Sequence, residues 1–272
     1  MRAKTILLPL LILLAVVPAA PSRADELADK GREIFQQYQH AVVTVQLVTK
    51  TKMSFGGAGE QSNEAKQDLT GTVLDPSGLT VLSLSACEPG EMMQNIMAGA
   101  GGDAGSKIKM NTELSDVKIL LEDGSEAPAE VVLRDKDLDL AFIRPKTKPA
   151  KPMTALDLSQ SAPARVLDQV LALNRLGQAA GRAYAVSIER VSAVVQKPRL
   201  FYIPESSATS TSMGCPAFSL DGKLVGIFLM RSVNTQGSGG MGFMMGRVEG
   251  VTAIILPASD VLKAAKQAPE PK

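Results

Sequence analysis

The sequence predicts an all-β protein: two antiparallel β-barrels joined by a linker, with a short helix at each end. Three observations carry that prediction. Apolar runs rich in β-branched residues recur along the chain, with Gly, Pro, Asp and Ser clustered between them. Helical spacing of apolar residues is found at the two ends of the folded part. A Pro- and Lys-rich stretch, "PKTKPAKPMTALDLSQSAP" (145–163), divides the runs into two groups. Short strands in such number are best satisfied by sheets that close on themselves, because closure removes exposed edges.

The chain opens on a basic Met1-Arg2-Ala3-Lys4, an apolar run from Ile6 to Val17 and then "PAAPSRA", the layout of a secretory signal cleaved before Asp25. The apolar run is shorter than the roughly 20 residues a bilayer span needs, although a retained anchor is the alternative. Leu27, Ile34 and Tyr38 recur at near-helical spacing in "DELADKGREIFQQYQH", and His40 falls at the C-terminal end of that helix, where an imidazole faces the negative end of the dipole. From Ala41 the pattern becomes strand-like. "VVTVQLV" (42–48), the two runs of 69–85 joined by Asp75-Pro76-Ser77-Gly78, and three more within 117–145 make up the first barrel. Runs at 165–173, 182–195, 199–204, 215–230 and 250–257 make up the second. "ASDVLKAAKQ" closes the chain as a helix, with Ser259 as its expected N-cap. The predicted organisation is therefore a signal peptide (1–24), a helix and first barrel (25–148), a linker (149–163), a second barrel with its helix (164–266) and a solvated tail (267–272).

Composition excludes several classes of function. Loss of the signal leaves 26 basic against 28 acidic residues with no basic block, which argues against nucleic acid as a partner. No CxxC or Cys/His spacing suggests a structural metal, so no cofactor is implied. Two Gly- and Met-rich stretches, 88–115 and 234–247, fit no regular element. Their Met92, Met93, Met97, Met241, Met244 and Met245 read as pliable apolar packing or, alternatively, as soft ligands for copper(I) in a copper or redox protein.

Four segments, in order, resemble the secreted trypsin-like serine proteases of the HtrA/Deg type. "GTVLDPSGLTVLSLS" resembles the hairpin leading to the catalytic histidine, and "ILLEDGSEAPAEVVLRDKDLDLAFIRP" resembles the segment carrying the catalytic aspartate. "RAYAVSIERVSAVV" is similar to the family's T-x-G-I-V-S strand, and "STSMGCPAFSLDGKLVGI" to its P-G-N-S-G-G-P-L nucleophile loop and following hairpin. The resemblance implies the chymotrypsin double barrel. Carried over position by position, the aspartate falls on Asp139, the histidine on Ser85 (or, one residue on, Ala86) and the serine on Met213. The oxyanion-loop positions are Thr211 and Gly214, and a threonine restricts backbone angles that the family's glycine permits.

That mechanism needs an imidazole to take the proton of an attacking hydroxyl. Met213 has no proton to give, Ser85 is no base near neutral pH, and the chain's one histidine, His40, belongs to no matching motif. The reading is therefore a degenerate, exported family member without a PDZ domain, periplasmic or extracellular, that binds polypeptide or another exported protein. An active serine endopeptidase with a non-standard site is the alternative. The resemblance also sets Cys87 beside the former histidine and Cys215 beside the former serine, which suggests either a disulfide across the barrels or two buried thiols.

Overall fold

The computed structural model describes residues 23–55, 60–90, 108–205, 213–232 and 251–270. Residues 1–22 of the expected signal segment, Thr211 and the six methionines named above lie outside them. Helix α1 (Arg23–Tyr38) and a 3-10 turn (Gln39–Ala41) lead into β1 (Val42–Phe55), β2 (Glu60–Val73) and β3 (Thr80–Ser83). A one-turn helix, α2 (Leu84–Cys87), follows, then β4 (Ile108–Leu120), β5 (Glu126–Asp135) and β6 (Leu140–Pro145). These six strands close into an antiparallel barrel in the order β1-β2-β3-β6-β5-β4.

A second barrel is built from β7 (Gln169–Arg175), β8 (Tyr184–Val195), β9 (Phe201–Pro204), β10 (Pro216–Ser219), β11 (Leu224–Ser232) and β12 (Val251–Pro257). It closes in the order β10-β11-β12-β9-β8-β7, and α3 (Ala258–Ala265) packs after it. The all-β, two-barrel expectation therefore holds. In α3 the N-cap is Pro257, not Ser259: the helix starts directly off the end of β12, no side chain caps it, and Asp260 in its first turn complements the dipole instead.

β1 and β2 are much longer than their apolar runs. They stay paired from Val42↔Thr72 to Ser54↔Glu60, and β1 pairs with β4 as far as Phe55↔Ile108. Residues 61–64 of that extension are exposed, so no alternation of apolar and polar residues marked them as strand.

One apolar cluster spans both barrels and the helices that cover them. Phe142 and Val81 of the first barrel join Leu171, Phe218 and Leu256 of the second, with Ile34 of α1 and Val261 of α3. Tyr38 stacks on Phe218 with ring centroids 4.8 Å apart, which anchors α1 on the second barrel. The β2–β3 turn is held from within. Asp75 accepts hydrogen bonds from the backbone N–H of Ser77 and Leu79, and the nearly buried Arg144 of β6 donates to the other carboxylate oxygen at 3.1 Å.

Asp75→Ala removes the counter-charge of that guanidinium, and leaving a buried charge unpaired costs about 3 kcal/mol. Chemical denaturation should show a loss of this size with an unchanged slope.

Candidate functional site

Asp139 sits in the tight turn between β5 and β6, in the left-handed region at φ 60°, a conformation aspartate tolerates better than most side chains. Its carboxylate points at the end of β3 and the first turn of α2. One oxygen accepts from the Ser85 backbone N–H at 2.7 Å. The other accepts from Ser83 Oγ at 2.7 Å, Ser85 Oγ at 3.1 Å and, from the second barrel, the Met230 backbone N–H at 3.4 Å. The Asp139 carbonyl also accepts from Leu84 N–H, so turn and helix are fixed to each other.

Ser83 completes the motif as N-cap of α2, accepting from Ala86 N–H. The structure thus brings Ser85 onto Asp139. Ala86, the alternative register, packs against the first barrel's own cluster. Burial pushes the Asp139 carboxyl above its ordinary value, and the bonds from Ser83, Ser85 and Met230 pull back without cancelling that effect.

Met213 is buried, at 1% exposure. The next residue, Gly214, shows why the turn is preserved. It lies at φ 90°, and a Cβ there would stand 2.3 Å from the Thr70 carbonyl oxygen of the first barrel. Its N–H donates to Phe228 O and its carbonyl accepts from Thr72 Oγ1, both at 2.7 Å. Only glycine fits both the angle and the close approach. Around this contact Thr70 Oγ1 donates to Asn174 Oδ1 at 2.9 Å, and Arg182 Nε to Asp68 Oδ2 at 2.6 Å, so the barrels are joined by polar as well as apolar contacts.

The chain's one imidazole is engaged elsewhere. His40 Nδ1 meets Glu122 Oε1, and the ring stands edge-on to Tyr184, whose hydroxyl donates to the same carboxylate at 3.2 Å. Sequence reasoning placed this ring at a helix end but missed Glu122 and Tyr184, which lie far along the chain and meet it only through the packing of the barrels.

Cys87 and Cys215 are both free and fully buried, so the disulfide alternative is not the arrangement found. Each thiol belongs to the core of its own barrel, Cys87 with Leu84 and Val117, Cys215 with Tyr202 and Phe228. Burial pushes both thiols far above their ordinary value, which leaves neither as a ready nucleophile. Among the described residues no cluster of three His, Cys, Asp or Glu side chains gathers to hold a metal ion. A cavity of about 310 Å3 lies apart from Asp139, between α1, β7 and the β10–β11 turn, lined by Lys30, Asp168, Val170, Asp221 and Val225 among others.

A scan against protein families matches a trypsin-like peptidase domain over residues 70–227, more than half of the chain. No curated protein matches the sequence.

Three expectations follow. Asp139→Ala strands the Ser85 N–H and both serine hydroxyls, at a cost of about 3 kcal/mol in denaturation. Because the folded-state carboxyl is raised, it favours the fold fully below the ordinary value of 3.8, and that contribution is lost as pH rises through the raised value. Asp139→Asn should flatten that part of the stability–pH curve. Gly214→Ala should cost about 2 kcal/mol or more from the backbone angle and clash together.

Proposed function

The chain belongs to the trypsin-like peptidase family, and from that premise we propose that it is a member that no longer cleaves peptides and instead binds extended polypeptide. The observation that carries the proposal is the occupation of the triad aspartate. In a working site its carboxylate orients an imidazole. Here its oxygens are taken up by Ser83, Ser85 and two backbone N–H groups, while the only histidine is held by Glu122. Met213, at the nucleophile position, is buried and has no proton to lose.

Binding is supported by the sheet geometry beside the site. Away from β12, β11 pairs with β10 only over Leu224–Ile227. Beyond Phe228 the side of β11 that faces away from β12 pairs with no strand among the described residues, and Met230 N–H on it reaches the Asp139 carboxylate. A strand edge of this kind takes an extended chain by main-chain hydrogen bonds. The basic start and apolar run of residues 1–24 support export to a periplasmic or extracellular location, where the partner is another exported protein.

The purified protein should take up no fluorophosphonate probe and release no fragments from reduced, carboxymethylated α-lactalbumin, while binding that unfolded chain in a calorimetric titration. Met213→Ser should remain unlabelled, because no base stands ready to activate the new hydroxyl. Labelling at a single serine of the wild type, abolished by its replacement, would establish the peptidase reading instead.

A further inference from the structure

The turn that leads into the second barrel goes against two preferences at once. Arg165 to Asp168 form a four-residue turn closed by Asp168 N–H on the Arg165 carbonyl at 3.1 Å. Leu167 within it lies at φ 71°, in the left-handed region that a bulky side chain avoids. That side chain is also left in water: Leu167 is 67% exposed, and Val166 beside it 51%. The geometry is imposed from several sides. Leu167 N–H donates to Val191 O at 2.8 Å, Val191 N–H to Asp168 O at 3.0 Å, and Arg165 N–H to Asp168 Oδ2 at 2.8 Å.

Elsewhere among the described residues, five positive-φ positions are glycine and two are not. Those two, Asp139 and Arg182, each use the side chain in a bond, Asp139 with Ser83 and Arg182 with Asp68. Leu167 holds the same strained angle for an apolar group that faces solvent, and strain kept at such a position points to a task outside the fold. The linker before the turn, β8 on one side of β7 and β10 on the other are all described.

We propose that Arg165–Leu167 is a shallow insertion turn that seats the second barrel on an anionic lipid bilayer. The backbone N–H groups of Arg165, Leu167 and Asp168 are bonded within the chain, so an extended polypeptide gains no main-chain pairing here. Contact is left to two aliphatic side chains raised on a turn, which an acyl layer accepts without a shaped groove. The charge around them fits negative headgroups. Arg165 is 88% exposed, and Asp168 and Asp221 each lie near a cation, Arg165 at 3.6 Å and Lys223 at 3.5 Å. Glu189 lies on the other face of β8, opposite the buried Val170. Arg190, across from Gln169 at the start of β7, and Lys197 and Arg199, in the β8–β9 turn at the same end, carry no ion pair among the described residues. This positive surplus is local, since the chain after residue 24 is slightly acidic as a whole. The inference is independent of whether the former cleft binds anything.

The chain from Asp25 onward keeps both barrels and all but the first two residues of α1. It should sediment with vesicles of phosphatidylglycerol and phosphatidylcholine but not with phosphatidylcholine alone, and added salt should release it. Leu167→Asn should lower that partitioning ~10-fold by removing the inserted aliphatic group. The same variant should melt no lower than the wild type, because asparagine takes the left-handed region more readily than leucine. A wild type that stays in solution beside the anionic vesicles overturns the assignment, as does equal binding to the neutral ones. So does a Leu167→Asn chain that binds as before, or one that melts lower, which gives the leucine to the fold. If the vesicles go unbound and Leu167→Asn instead abolishes binding of carboxymethylated α-lactalbumin, the turn belongs to a polypeptide site and the bilayer assignment falls.

Discussion

A carboxylate withdrawn from water must be given donors, and Asp139 draws its donors from both barrels. Ser83 and Ser85 supply hydroxyls and a backbone N–H from the first, and Met230 supplies a backbone N–H from the second. An unpaired buried acid would cost more than most single contacts contribute. The β5–β6 turn, the N-cap of α2 and the approach of β11 are therefore parts of one arrangement.

The Gly214 turn shows how the contact between the barrels fixes the shape of a loop. Gly214 is fixed by a positive φ and by the Thr70 carbonyl, and its own carbonyl is held by Thr72. These are demands of the contact between barrels, and they apply whichever side chain precedes the glycine. Met213 is thus free to be apolar and buried, as its position between two packed barrels favours.

Much of the fold was legible in the sequence because short strands such as β3, β6 and β10 are buried along most of their length and so read as apolar runs between turn residues. The Asp75–Gly78 turn, the separation at 145–163 and the closing helix all follow from local composition. The outer halves of β1 and β2 were not legible, since their polar residues are held as strand by pairing rather than by a buried face. For the same reason the apolar pattern of β8 gave its existence but not how its pairing is divided, with β7 over Tyr184–Arg190 and with β9 over Val191–Val195.

The sequence by itself determined the class of fold and the family resemblance, because these depend on which residues occupy which places in a pattern. Tertiary structure decided the partners. Ser85 rather than His40 meets Asp139, Glu122 and Tyr184 meet His40, and the two cysteines remain apart in separate cores. Each pairing joins residues distant in sequence, so it is set by the closure of the barrels and their docking, which no local pattern encodes.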